Sequence, residues 1–394
     1  MILRNPTEIF LVSLLVIFLL PYLFWKFFKT DNYMPLAVVQ IVSGIILGPG
    51  ILGKQFPEFY NTIFTEDNIK VLSGIAWWGV MLFVWTAGVE LNLKEAITKK
   101  KDTLVTSAFA LLTPLCFGSI LALIISNYPG WEGNNASTWQ FTFGVGMATA
   151  VTALPILILL MEKLGIFNKE LGKRTLRYAS LDDIFIWAVL AIIIMDWQRV
   201  IRQIIFLPIF VLFSYLLNKL IAKVPESRDR WAIAMLWIIV VGFAADWSGL
   251  HYMVGAFLAG VTMKSEWFNK NEMKMFRDNI LLILMPVFFL ITGLKTGWSV
   301  SGTFVILVAI ILLIVQFMSK ILGVLIAGKI LKWKKTDAFV IGVLLQTKAL
   351  IEIIFCTVLL DKGIITSQMF TALLIMAILS TISTMPITRR LVKK

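Results

Sequence analysis

Charged residues, cysteine and histidine are all scarce in this sequence of 394 residues. Only 15% of the residues are charged and 59% are hydrophobic, whereas soluble domains have about 25% charged residues. Two cysteines, Cys116 and Cys356, and one histidine are too few for a disulfide framework or a zinc site, and we expect both cysteines to be small core residues. The composition excludes a soluble enzyme and a disordered chain, and it indicates a polytopic membrane protein.

Motifs for cofactor chemistry are also missing. The sequence has no Walker motif, no GxGxxG phosphate loop and no haem ligand pair, so we expect no cofactor and no catalytic residue. A net charge of +13 would suggest a nucleic-acid partner in a soluble protein. Here the basic residues lie in short loops between apolar runs, so we expect membrane lipid and not nucleic acid as the surrounding partner.

The apolar runs predict about thirteen transmembrane helices, since a spanning helix needs about 20 mostly apolar residues. Numbered in chain order as spans 1 to 13, they cover residues 8–28, 34–52, 72–91, 103–127, 139–161, 178–195, 203–221, 231–247, 249–263, 280–294, 302–328, 338–360 and 366–387. No stretch outside them is long enough for a soluble regulatory domain. We therefore expect residues 1–394 to form a single integral membrane domain.

Lysine and arginine counts orient the predicted spans. The loops after odd-numbered spans and the C-terminal tail hold 27 basic residues, and the opposite side holds 7. Because basic loops stay in the cytoplasm, this asymmetry places the N-terminus outside and the C-terminus in the cytoplasm. We expect a multi-pass protein of the plasma membrane, which is the inner membrane in a bacterium.

Five ionisable side chains lie deep inside the apolar runs: Asp182, Asp183, Lys320, Lys348 and Glu352. Such groups are costly at membrane depth and usually mark ion or proton paths; a buried ion pair that only locks helices together is the alternative. The adjacent carboxyls of Asp182 and Asp183 in span 6 need a cation, a proton or a lysine to neutralise them. Carboxylate oxygens are also ligands that hard cations prefer.

Spans 5 and 12 carry polar interruptions. In span 5, Pro155 removes an intrahelical hydrogen bond, and Thr149 and Thr152 can satisfy the freed backbone or turn their oxygens to an ion. In span 12, Lys348 and Glu352 are spaced i,i+4 and can form a structural or gating pair. Because the interruptions are seven spans apart, they are compatible with inverted repeats of spans 1–6 and 8–13 joined by span 7.

Lys320 in span 11 has no carboxylate within one helical turn, so its partner must come from another helix. We expect Asp182 to be that partner. The alternative is that the ammonium group snorkels to the cytoplasmic surface along the apolar helix.

Several segments together resemble the monovalent cation:proton antiporter-2 family, within the larger sodium/proton antiporter group, over nearly the whole chain. They are Gly44-Ile-Ile-Leu-Gly-Pro49, Gly79 to Leu93, Thr149 to Pro155, Asp182-Asp183, Gly249 to Gly260, and Pro286-Val-Phe-Phe289 with Gly293. The resemblance implies an all-α fold with a dimerisation domain, a mobile core around spans 5, 6, 12 and 13, and two crossed, interrupted helices. It also implies a homodimer.

The resemblance assigns roles to residues of this sequence. Asp183 would be the main carrier of the ion and the proton, with Na⁺ bound at Asp183 and Asp182. Asp182 would also form a salt bridge with Lys320. Thr149, Thr152 and the backbone around the break would help to coordinate the ion.

Two departures from the family pattern matter. In Gln346-Thr-Lys-Ala349, alanine replaces the usual glycine, so the resemblance does not define the geometry of the break in span 12. The nucleotide-gated cytosolic domain of potassium-efflux relatives has no counterpart in this sequence, and those relatives commonly have glutamine in place of Asp182. The Asp-Asp pair with Lys320 looks more like the electrogenic sodium/proton antiporters.

The resulting hypothesis is a secondary antiporter that exchanges Na⁺, or else Li⁺ or K⁺, for protons by an elevator-like motion. It would be electrogenic if both aspartates exchange protons. K⁺/H⁺ exchange is the second hypothesis, because Na⁺ and K⁺ both accept oxygen ligands. An organic-anion symporter of similar fold, which would not need two adjacent carboxylates with a buried lysine, is the third, and a channel is the fourth.

Overall fold

The computed structural model describes residues 5–28, 36–90, 100–153, 157, 160–161, 164–166, 169–194, 200–296, 302–348 and 350–392. For a few of these, including Asp183, only the backbone is described. The helices are α1 (Pro6–Phe27), α2 (Leu36–Leu47), α3 (Leu52–Gln55), α4 (Pro57–Ile63), α5 (Glu66–Glu90), α6 (Lys100–Ser126), α7 (Thr138–Ala150), α8 (Glu170–Ile193), α9 (Val200–Ile221), α10 (Ser227–Ser248), α11 (Tyr252–Val261), α12 (Lys270–Leu294), α13 (Gly302–Ile330), α14 (Lys335–Leu344), α15 (Leu350–Asp361) and α16 (Ser367–Val392).

The described part of the chain is helical apart from one isolated antiparallel bridge between Glu132 and Ile365. Among the described residues, nine helical segments are long and apolar enough to cross a membrane. The prediction of an all-α membrane protein is therefore confirmed. In α12 the helix continues through a π-helical turn at Ile280–Leu284, which joins a charged first part to an apolar second part.

Two helices begin eight or more residues earlier than the sequence predicted. α8 starts at Glu170 instead of residue 178, and α12 starts at Lys270 instead of residue 280. The predicted boundaries followed charged residues, but charges in these turns have partners: the Arg277 guanidinium donates to the Glu90 carboxylate at 2.8 Å. Paired charges can continue a helix beyond its apolar part.

The prediction that both cysteines belong to the core is wrong for Cys116. Its side chain is exposed on α6, whereas Cys356 is buried in α15. An exposed cysteine within an apolar spanning helix needs no other explanation than contact with lipid, because its thiol behaves as a small apolar group.

Contacts divide the chain into two compact units. The first comprises Met1–Ile17, Asn61–Leu91 and Ala191–Ile291, and the second comprises Phe18–Tyr60, Asn92–Leu190 and Thr292–Lys394. In the first unit α5 packs closely on α11. In the second unit α6 packs along α7 and α13, and α13 also contacts α14 and α16. The helices that correspond to spans 5, 12 and 13, and most of α8, all belong to the second unit.

The start of α7 is well defined by local chemistry. Ser137 precedes the helix with an extended backbone, and its backbone N–H donates to the Gln140 side chain at 3.1 Å. This reciprocal capping box satisfies donors that the first turn leaves free. At the end of α7 the Val151 N–H satisfies the Met147 carbonyl, and the carbonyls of residues 148–150 accept from side chains outside the helix.

Candidate functional site

Two interrupted helices are found where the sequence predicted them. α7 ends at Ala150 and non-helical residues 151–153 follow, while residues 345–348 separate α14 from α15. A break is therefore present in span 12 although Ala349 replaces the family's glycine. Ala349 itself and Pro155, the predicted cause of the first break, lie outside the described residues.

The two interruptions contact each other within the second unit. The backbone N–H of Ala153 donates to the Thr347 carbonyl over 2.8 Å. The Thr152 hydroxyl lies 2.9 Å from the Leu345 carbonyl oxygen. Backbone groups freed at one break are thus satisfied by the other, which is how non-helical backbone is tolerated at membrane depth.

Asp182 is fully buried and forms an ion pair with Lys320. The Lys320 Nζ donates to Asp182 Oδ2 at 3.0 Å and to the Ala150 carbonyl at 2.5 Å. Thr152 Oγ1 lies 2.7 Å from the same Asp182 Oδ2. Lys320 is buried too, so its ammonium group does not snorkel to the surface. An ion pair from α8 and α13 therefore sits against the C-terminal end of α7.

Lys348 is directed mainly at backbone carbonyls. Its Nζ donates to the carbonyls of Ala148 at 2.7 Å and Thr149 at 2.9 Å, and it lies 3.8 Å from Glu352 Oε2. The i,i+4 pair is within ion-pair distance, but its nitrogen and oxygen are too far apart for a hydrogen bond. The ammonium group therefore donates its hydrogen bonds to the end of α7 and not to Glu352.

Two ammonium groups thus bind three consecutive carbonyls, those of residues 148–150, at the end of α7. The last carbonyls of any helix lack intrahelical partners and carry the negative end of the helix dipole. Because this end is buried, an unpaired carbonyl would be costly. Lys320 and Lys348 supply both the donors and the compensating positive charge.

The two predicted threonines face different helices. The Thr152 hydroxyl reaches Asp182, whereas the Thr149 hydroxyl lies 2.6 Å from the Gly146 carbonyl and 3.1 Å from the Pro114 carbonyl of α6. Thr149 takes part in the site through its own carbonyl, which Lys348 binds. Its role as an ion ligand stays a prediction.

A polar cluster that sequence reasoning missed holds the second break to its neighbours. Gln316 Nε2 donates to Gln346 Oε1 and, at 3.1 Å, to Ser380 Oγ; Ser380 Oγ donates to the Gln346 carbonyl at 2.8 Å. Gln346 Nε2 donates to the Phe317 carbonyl at 2.8 Å. A usable signal was present, because Gln316 is a lone amide one turn before Lys320 in an apolar run.

Three buried carboxylate oxygens at this site have no hydrogen-bond donor among the described residues. They are Asp182 Oδ1 and both carboxylate oxygens of Glu352. Buried acceptors are normally satisfied, so unpaired ones indicate an ion, a water molecule or a proton as partner. The backbone of Asp183 follows Asp182 in α8, but the Asp183 side chain lies outside the described part of the structure.

Comparisons with known proteins agree with this geometry. The chain is 27% identical to the Na⁺/H⁺ antiporter NhaS4 of Synechocystis sp., over 97% of each protein. It is 27% identical to the K⁺/H⁺ antiporter 1 of Saccharomyces cerevisiae, covering 90% of this chain but 43% of the yeast protein. The fold is similar to that of the sodium proton antiporter MjNhaP1 of Methanocaldococcus jannaschii, with a TM-score of 0.64 at 14% identity over 99% of both chains.

The family assignment rests on a match that covers nearly the whole sequence. The family model described as "Sodium/hydrogen exchanger, transmembrane" matches residues 14–394. The relatives named above are antiporters and not enzymes. This chain therefore belongs to the sodium/hydrogen exchanger family and is a multi-pass membrane transporter that exchanges monovalent cations for protons.

Proposed function

We propose that the transported cation is Na⁺ and that it competes with protons at Asp183 and Asp182. One observation carries the proposal: the buried Asp182–Lys320 ion pair lies against the end of an interrupted helix, and one oxygen of its carboxylate is unpaired. A structural ion pair would be expected to have both carboxylate oxygens satisfied. An open carboxylate oxygen beside a second carboxyl group is suited to a cation that arrives and leaves.

The charge balance supports competition between cation and proton. Lys320 compensates the Asp182 carboxylate, and Lys348 compensates the negative end of the α7 dipole, where it binds two backbone carbonyls. Asp183 adds one further negative charge. In a low-dielectric site that charge needs compensation, which one monovalent cation or one proton can supply. Na⁺ and H⁺ therefore exclude each other.

In the proposed transport cycle, protons are bound at two places, Asp183 and the Asp182–Lys320 ion pair. At high proton activity Asp183 is protonated and Asp182 is paired with Lys320. Na⁺ entry displaces protons and breaks the pair, and an elevator-like motion of the core, with two crossed interrupted helices, then carries the ion across. If Asp183 and the Asp182–Lys320 pair each release one proton for each Na⁺, a net charge moves and the cycle is electrogenic. We further propose a homodimer and no cofactor.

A K⁺/H⁺ antiporter is the second candidate, favoured by the similarity to the yeast K⁺/H⁺ antiporter 1. This chain spans less than half of that protein, and the similarity to NhaS4 covers both chains almost completely. Carboxylate, hydroxyl and carbonyl oxygens can bind either ion. The choice therefore needs a flux measurement.

Proton flux in proteoliposomes with an internal pH dye tests the proposed function. Na⁺, Li⁺, K⁺ and choline are added in turn, with Asp183→Asn as the control variant. We expect Na⁺ and Li⁺ to drive a pH change that choline does not and that Asp183→Asn abolishes. A larger response to K⁺ than to Na⁺ would select the second candidate. Exchange retained by purified, folded Asp183→Asn would exclude the assignment.

A voltage arm of the same experiment tests electrogenicity. A K⁺ gradient with valinomycin imposes a membrane potential across the vesicles, which contributes about 2.3 kcal/mol per charge at 100 mV. We expect the Na⁺-driven proton flux to change with the sign of the potential. Equal flux at both signs would mean that the exchange is electroneutral. Counterflow of cation distinguishes a carrier from a channel.

A further inference from the structure

Glu352 is a buried carboxyl group to which the proposed exchange cycle gives no role. It lies in the first turn of α15, is completely buried, and neither carboxylate oxygen has a hydrogen-bond partner among the described residues. The cation closest to it, Lys348 Nζ at 3.8 Å, already donates to two carbonyls at the end of α7. The charge of Lys348 is therefore shared, and Glu352 receives no direct donor from it.

Opposing influences act on the ionised form of Glu352. Burial without a hydrogen-bond donor strongly disfavours a carboxylate. The N-terminal turn of α15 and the Lys348 ammonium group favour it, because both place positive charge nearby. Since neither influence has a clear advantage, the carboxyl group is suited to gain and lose a proton.

The other ionisable groups around Glu352 do not determine its protonation state. Cys356 lies one turn further along α15, and Lys320 on α13 and Asp182 on α8 interact electrostatically with Lys348. Of the helices packed on α15, α7 has no ionisable side chain, and α16 has only Arg389 and Arg390 in its last turn. Lys348 is thus the group to which the protonation of Glu352 is coupled.

We propose that Glu352 is a second proton-binding site of this transporter, separate from the aspartate pair. In the arrangement seen here, with Lys348 bound to the α7 carbonyls, one Glu352 oxygen carries a proton taken from the aqueous phase. When that O–H bond breaks and the proton returns to the aqueous phase, the carboxylate attracts the Lys348 ammonium group away from the end of α7. This second site rests on the proposed function. Protonation of Glu352 would control whether Lys348 binds the end of α7, which lies at the proposed ion site.

Infrared spectroscopy of the full-length protein measures this proton directly. A protonated carboxylic acid has a C=O stretching band that a carboxylate lacks. Protein made with ¹³C-carboxyl glutamate should shift the band of a protonated glutamic acid and leave aspartic acid bands in place. We expect such a glutamate band near neutral pH, which disappears on alkaline titration and is missing in Glu352→Gln. Glu132→Gln, a change in the connection before α7, should leave it unchanged.

The possible outcomes separate this proposal from the proposed function. Asp183→Asn should abolish exchange but retain the glutamate band, since the band reports only on Glu352. Absence of a ¹³C-shifted acid band near neutral pH in the folded wild type would overturn the proposal, even if cation exchange is intact. A band that persists in Glu352→Gln would also overturn it.

Discussion

The hydroxyl of Thr152 lies between a carboxylate and the carbonyl that ends another helix. Its oxygen is 2.7 Å from Asp182 Oδ2 and 2.9 Å from the Leu345 carbonyl oxygen. A hydroxyl has a single proton, so it can donate to only one of these acceptors at a time. When the hydroxyl donates to the carboxylate, the Leu345 carbonyl loses this donor. Thr152 therefore links Asp182 to the second break.

Thr152→Val removes this hydroxyl with little change in shape. We expect the variant to lose about 1–3 kcal/mol of stability, because buried acceptors lose their donor. The apparent affinity for the transported cation should fall several-fold, since the Asp182 carboxylate then depends on Lys320 alone. Thermal unfolding in detergent and the cation dependence of proton flux are the two measurements.

Thr388→Val is the matched control for this change. Thr388 is also fully buried, but its hydroxyl donates to the Thr384 carbonyl within the same helix. This variant should keep the cation affinity of the wild type. Equal affinities in the two valine variants would show that Thr152 has no special part in the site.

At the scale of helices, the packing of α6 on α7 determines where the end of α7 lies. Gly118 of α6 faces Thr149 of α7, and a Cβ built on Gly118 would lie 3.1 Å from Gly146 Cα and would collide with the Thr149 hydroxyl. The absence of a side chain at residue 118 therefore lets the two backbones come together. Close helix approach through small residues is a common device in membranes.

Gly118→Ala should push α7 away from α6 and shift the carbonyls that Lys320 and Lys348 bind. We expect a loss of about 1–3 kcal/mol from overpacking and a marked fall in exchange rate. Gly74→Ala in α5 is the control, because a Cβ there meets nothing within 4 Å. That change should be neutral or stabilise the helix by about 0.5–1 kcal/mol. Similar unfolding temperatures for both variants would argue against this account of the α6–α7 packing.

For the whole molecule, the distribution of basic residues predicts the orientation in the membrane. The side that holds the loops after odd-numbered spans has 27 of them against 7 on the other side. Lysine and arginine in short loops resist translocation, so we expect the side with 27 basic residues to lie in the cytoplasm. Orientation matters for function, because it decides which face of the site meets the proton-rich compartment.

Single cysteines in exposed loops test this orientation. With Cys116 and Cys356 replaced by serine, Asn134→Cys should react in intact cells with a maleimide that does not cross membranes. Lys335→Cys should react only after the membrane is permeabilised. Both residues are exposed in the structure, so a difference between them reports sidedness and not burial. If Lys335→Cys but not Asn134→Cys were labelled in intact cells, the orientation would be the opposite of the predicted one.

The sequence by itself determined the features that depend on local composition. Apolar runs predicted an all-α membrane protein, because hydropathy and helix length are properties of a single segment. The same runs made Asp182, Lys320, Lys348 and Glu352 visible, since a charge stands out wherever its neighbours are apolar. Pro155 then pointed to a break in span 5, next to Thr149 and Thr152. All of this can be read without knowing which helices touch.

Only the tertiary structure decided how these residues are used. It turned Thr152 toward Asp182 and Thr149 toward α6, and it directed Lys348 to carbonyls of α7 more closely than to Glu352. These choices depend on the backbone path through two breaks nearly 200 residues apart in the chain, which meet through hydrogen bonds. Spacing along one helix cannot encode such contacts, because it gives a side chain's direction only relative to its own axis.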